Sequence, residues 1–142
     1  MRYNYLHYLL LCFILLEIIL TATLNFNSDL GAFCLTGSDC SSVQNSEYGK
    51  LFGVSLSVFG FIMFSLLLII YLYVERHPKY SQFFLLATGL GFCFAVYFLI
   101  LQFFVLKKIC SSCVIIDGLA IVLFIIALFW SNALRRELHK IA

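Results

Sequence analysis

Charge is nearly absent from this chain. Only 11% of its 142 residues are Asp, Glu, Lys or Arg, and 63% are hydrophobic. Soluble domains carry roughly 25% charged and about 45–50% apolar residues. The chain therefore lacks the polar material to coat a globule in water, and a lipid bilayer is its natural solvent. Nucleic-acid binding is excluded on similar grounds: the net charge is only +2, and no basic run or basic–aromatic patch occurs. Proline is confined to Pro78. Internal repeats, low-complexity tracts and linkers are missing, so no second domain is expected. The alternation of apolar and polar residues that a membrane β-barrel needs is missing too.

What the chain does have is long apolar runs, at about Tyr8–Leu24, Gly53–Val74, Phe83–Leu106 and Val114–Trp130. A spanning helix needs about 20 apolar residues, with a range of roughly 17–25. Lipid offers no partner to an unpaired backbone group, so such runs are helices. The expected fold is an all-α membrane protein: one domain over residues 1–142, a four-transmembrane-helix bundle. A signal peptide is a rival reading of the first run, with Arg2 as its positive flank and Thr21-Ala22-Thr23 as a loose cleavage site. Against it, the run exceeds the ~7–15-residue apolar core of such peptides and contains Glu17.

Six of the nine Lys and Arg residues (Arg2, Arg76, Lys79, Arg135, Arg136 and Lys140) precede the first run, join the second to the third, or follow the fourth. Lys50, Lys107 and Lys108 occupy the other two connections. Positive loops face the cytoplasm, so both termini are expected inside. The first connection, about Asn25–Phe52, is expected outside, where its mixture of Val43, Tyr48, Leu51 and Phe52 with Ser and Asn suits a short amphipathic helix from about Ser41 to Lys50.

Four of the six cysteines fall in the outer connections. Cys34 and Cys40 enclose the polar loop Leu35–Asp39. Cys110 and Cys113 form Cys-Ser-Ser-Cys at the mouth of the last run. The outer face is the oxidising one, where disulfides persist. A helix starting near Ser111 or Ser112, capped by a serine, would put the motif in the field of free N–H groups that stabilises a thiolate. Lys107 and Lys108 add positive charge. Two dithiols brought to one membrane face point to electron transfer between protein thiols and a lipid-soluble acceptor. The alternatives are structural disulfides or a four-thiolate zinc site. A Cys-x-x-Cys bridge constrains little, because the gain grows with loop length. Cys12 and Cys93 are mid-helix and are expected to be buried and inert.

The run Cys40-Ser41-Ser42-Val43-Gln44-Asn45-Ser46-Glu47-Tyr48-Gly49 resembles the signature C-S-x-V-x-x-S-x-[YW]-G of the vitamin K epoxide reductase family. The likeness continues through Gly53–Gly60 and ends in the Cys-x-x-Cys that opens the last run. DsbB-type thiol oxidases also have four helices, but carry their Cys-x-x-Cys in the first outer loop. The resemblance implies a bacterial-type thiol oxidase with a quinone, ubiquinone or menaquinone, near the Cys-x-x-Cys. In the family's scheme Cys40 exchanges with a thioredoxin-like (DsbA-type) protein, Cys34 passes electrons to Cys110, Cys113 faces the quinone, and Ser46 hydrogen-bonds near its pocket. The chain stops at Ala142, so that partner is expected to be a separate protein. The family's animal enzymes carry a tyrosine where Asp117 stands and an asparagine where Leu56 aligns, which argues against epoxide reduction.

Other candidates come from the residues themselves. Phe52, Phe59, Phe61, Phe92 and Tyr97 are candidate walls for a flat headgroup. Asp117 follows Cys113 by about one turn and is a candidate proton donor or headgroup contact. A carboxylate there would also oppose a thiolate at Cys113. Glu17 is an ionisable group inside a membrane helix, which is costly and often functional, and it is expected to face the bundle. Gly53, Ser57 and Gly60 form a small-residue face suited to close helix packing.

Overall fold

The computed structural model describes residues 2–26, 47, 50–51, 53–107 and 110–141. In chain order these form α1 (Arg2–Phe26), a hairpin of β1 (Lys50–Leu51) and β2 (Val54–Ser55), α2 (Leu56–Arg76), a 3-10 turn (Pro78–Tyr80), α3 (Ser81–Ile100), a π-helical segment (Leu101–Leu106) and α4 (Ser111–Ile141). Asn4–Asn25, Leu56–Arg76, Pro78–Val105 and Ser111–Arg136 are long and apolar enough to cross a bilayer, as a multi-pass membrane protein requires. Cys34, Cys40, Ser46 and Phe52 lie outside the described residues, as does most of the amphipathic helix expected over Ser41–Lys50.

The helices outrun their apolar cores. α1 begins at Arg2 rather than Tyr8, and α4 continues past Trp130 to Ile141. Residues 133–138 (Ala-Leu-Arg-Arg-Glu-Leu) are all strong helix formers, so the helix persists after hydrophobicity has fallen. α2 starts later than its apolar run, at Leu56. The cause is Gly53, whose φ of 81° turns the two-residue link of the hairpin. Lys50 pairs with Ser55, and Leu51 with Val54.

α1 packs on α2 and α4, and α3 packs on α4. Where α1 meets α2, a Cβ on Gly60 would lie 3.4 Å from Thr21 Cγ2, so glycine permits the approach. One turn away the Ser57 hydroxyl donates to Asn25 Oδ1 at 2.9 Å, and Asn25 Nδ2 donates to the Thr21 carbonyl at 3.0 Å. Ser57 and Gly60 thus keep the expected small-residue face, while Gly53 falls in the hairpin and does not.

The bundle is packed unevenly along its axis. At the end holding the Pro78–Tyr80 turn and the chain termini, Leu10, Ile14, Tyr71, Phe84, Ala127 and Trp130 are sealed from solvent. Tyr71, Phe84 and Trp130 form a triangle with ring centroids 5.4–5.7 Å apart, each pair contributing about 0.5–1.5 kcal/mol beyond area burial. The Tyr71 hydroxyl donates to the His7 carbonyl at 3.2 Å and lies 2.5 Å from His7 Nδ1, while His7 Nε2 sits 3.5 Å from Glu75 Oε1. That cluster ties α1 to α2. At the opposite end the four helices enclose a cavity. Cys12 and Cys93 are not in the core, contrary to expectation: both sit on the outer surface of the bundle, where a thiol faces lipid tails as readily as a small apolar side chain does.

Candidate functional site

The hollow end is built around the link from α3 to α4. A plain helix was expected to Leu106. Instead α3 passes at Leu101 into wider π turns, a feature that often accompanies functional positions. Lys107 ends the segment in the left-handed region, with φ 48° and ψ 29°, an unusual conformation for a residue with a side chain. Within the π segment Gln102 is 3% exposed. Its Oε1 accepts from the Cys110 backbone N–H at 3.3 Å, and its Nε2 donates to Asp117 Oδ2 over a long 3.5 Å.

α4 begins at Ser111, which makes Cys110 the residue that caps it. The Cys110 carbonyl accepts from the Val114 N–H at 3.0 Å. Its Sγ accepts from the Cys113 N–H at 3.3 Å, the bond that a serine or aspartate oxygen usually makes at this position. The cap that the sequence assigned to a serine is therefore a sulfur. That sulfur is fully buried and sits where the amides of the first turn converge. Cys110 and Cys113 are joined in a disulfide, their Cα atoms 5.2 Å apart. The zinc alternative requires Cys34 and Cys40 and so lies outside the described residues.

Cys113 is half-buried and forms part of the cavity wall. The cavity holds about 280 Å³ and is lined by all four helices, close to the lower end of the ~300–1,000 Å³ typical of small-molecule pockets. Among the described lining residues the polar side chains are Thr21, Ser57, Cys113 and Asp117; the rest are apolar or glycine. Phe59 and Leu56 line it as well. Phe61, Phe92 and Tyr97 do not. Phe92 instead packs on Phe124 with centroids 5.0 Å apart, and Tyr97 is exposed. Phe64, Phe94 and Phe98 supply the other aromatic walls. The chain has 16 Phe and 8 Tyr, and helices aromatic on every face give no periodic signal from which to choose among them.

Glu17 faces the interior and is fully buried. Among the described residues neither of its carboxyl oxygens has a hydrogen-bond partner. It precedes Thr21 by one turn of α1, and its carboxyl lies within electrostatic reach of Asp117. Two acidic side chains, one disulfide and an apolar cavity thus share the hollow half of the bundle. The arrangement suits exchange of electrons between a thiol pair and a flat, apolar, proton-accepting molecule.

No curated protein and no solved structure matches the chain. The sequence model of the vitamin K epoxide reductase family matches residues 6–128, which reaches into all four spanning helices and includes the Cys110–Cys113 pair. Members of that family are membrane oxidoreductases, and this chain belongs to the vitamin K epoxide reductase family.

Proposed function

We propose that the protein is a thiol–quinone oxidoreductase that reoxidises a thioredoxin-like (DsbA-type) protein at the outer face of a bacterial plasma membrane. The carrying observation is the position of Cys113: one sulfur of the disulfide lies on the wall of an apolar cavity large enough for a ring headgroup. The balance is simple. Two thiols of the partner lose two electrons and two protons and become a disulfide, and the quinone becomes a quinol. Each protein step is attack of a thiolate on a disulfide sulfur. Cys40 would exchange with the partner and Cys34 with Cys110, opening the Cys110–Cys113 bond and freeing the Cys113 thiol at the cavity.

The residues fit a quinone. Phe59, Phe94 and Phe98 offer flat apolar walls, Asp117 offers a carboxyl, and Ser46 would add a hydroxyl. When bound, ubiquinone or menaquinone supplies a two-electron, two-proton sink. The chain's own part is to exclude water from the Cys113 sulfur, to hold the Cys110 sulfur against the first amides of α4, and to provide a proton-bearing group at Asp117. Four crossings return the C-terminus to the side of the N-terminus, and the excess of Lys and Arg at that end makes it cytoplasmic. The cysteine end is then periplasmic, where its disulfides are stable. Epoxide reduction is the weaker reading, because Leu56 and Asp117 both line the cavity where the animal enzymes carry asparagine and tyrosine.

The test is anaerobic. Purified protein is mixed with a reduced thioredoxin-like substrate and a quinone, and quinone absorbance is followed. Wild type should convert quinone to quinol. Cys40→Ala and Cys113→Ala should each abolish the conversion, and a partner lacking its second thiol should be trapped in a mixed disulfide with Cys40 as the Cys34 thiolate leaves. Asp117→Asn should slow quinone reduction by about 10²-fold, as loss of a positioned acid does, with partner exchange intact. Quinone reduction that persists in Cys113→Ala would refute the proposal.

A further inference from the structure

An acidic side chain one turn from a reactive thiol is a conflict. Residues four apart on a helix are neighbours, and a carboxylate beside Cys113 opposes the thiolate on which exchange depends. One buried side chain reaches both the start of α4 and the acid. Gln102 reaches across from the π segment and holds two points of α4 at once: its Oε1 accepts from the Cys110 N–H at 3.3 Å, and its Nε2 faces Asp117 Oδ2 at 3.5 Å.

The orientation of this amide is not arbitrary. A backbone N–H can only donate, so the atom facing Cys110 must be the oxygen. The NH₂ group is then committed to Asp117, whose carboxyl can accept. Gln102 is 3% exposed, so no bulk water replaces either bond. The wider turns of the π segment and the left-handed Lys107 bring the side chain to this point.

We propose that Gln102 is a positioning residue that turns the Asp117 carboxyl away from Cys113 and holds it at the cavity wall. This rests on the thiol–quinone reading for its purpose, and it identifies how an acid and a nucleophilic sulfur share one helix turn without disabling each other. Remove the amide, and the Asp117 side chain is released toward Cys113.

The test needs no quinone and therefore judges Gln102 separately from the reaction. Full-length protein in detergent micelles is reduced and labelled with iodoacetamide, and mass spectrometry measures the labelling rate at Cys113. Gln102→Leu should slow labelling about tenfold, as one like charge at about 4–6 Å produces. Gln102→Leu combined with Asp117→Asn should restore the wild-type rate, because the opposing charge is gone. Gln102→Met keeps the length and loses both hydrogen bonds without adding charge; it should slow labelling likewise, which keeps the test available should the leucine variant not fold. A wild-type rate in both single variants, or slowing that survives Asp117→Asn, would overturn the proposal. A structural defect at the start of α4 predicts that surviving slowness; a misplaced carboxyl does not.

Discussion

Replacing Glu17 with methionine should make the protein more stable and less active. Both Glu17 oxygens are sealed inside the bundle without a hydrogen-bond partner among the described residues. A buried polar group left unsatisfied costs about 1–3 kcal/mol, and an acidic residue at the centre of a membrane helix costs about 2.5–3.5 kcal/mol by insertion scales. Methionine has a similar length and no polar atom to bury. Allowing for imperfect repacking, the expected gain is about 2 kcal/mol, or roughly 30-fold in the unfolding equilibrium. Trp130 supplies the assay. It is the chain's only tryptophan, fully buried against Tyr71 and Phe84, so its fluorescence reports unfolding of the packed end in a denaturing detergent titration. Glu17→Gln keeps a buried polar group and should gain little. Quinone reduction should fall in both variants, since each removes an ionisable group from the bundle interior. A Glu17→Met protein that is destabilised by about 1 kcal/mol or more would show that the carboxyl is well satisfied and refute the reasoning.

Two further outcomes follow from the packing. Gly91 lines the cavity, and a Cβ there would meet nothing within 4 Å. Gly91→Leu should therefore fill the cavity and add about 1 kcal/mol of helix propensity. Thermal unfolding should shift upward while the KM for quinone rises at least tenfold; an unchanged KM would mean that the headgroup binds elsewhere. Tyr71→Phe removes the hydroxyl that joins α1 to α2 at His7 but keeps the aromatic triangle, so it should cost about 1 kcal/mol in the same fluorescence titration and leave quinone reduction unchanged.

The sequence disclosed the parts whose physics is local or compositional. Apolar runs in lipid have one backbone solution, so the four helices were legible. So was the inward face of Glu17, because no other face of a membrane helix tolerates it. The boundaries were less so: hydropathy ends at Trp130 while helix propensity carries α4 to Ile141, and Gly53 reads as the head of an apolar run although its positive φ makes a hairpin. Cys113 and Asp117 were legible as neighbours by spacing alone. Gln102 was not. It is a single polar residue among Leu, Ile and Phe, and only the π segment, a backbone choice that periodicity does not encode, gives it two partners on another helix. The lipid-facing Cys12 and Cys93 were misread because lipid and core are equally apolar, so hydrophobicity does not distinguish outside from inside in a membrane bundle.

The lopsided packing has a mechanical consequence. Helices bolted together around Tyr71, Phe84 and Trp130 behave as the tines of a fork: rigid at the handle, compliant at the tips. Near Gly91 little side-chain volume holds α2 to α3, and acyl chains can fill any gap that opens there at small cost. A hydrophobic guest arriving sideways from the bilayer need only spread the tips. The handle, where the rings of Tyr71, Phe84 and Trp130 interlock, would keep the relative angles of the tines fixed.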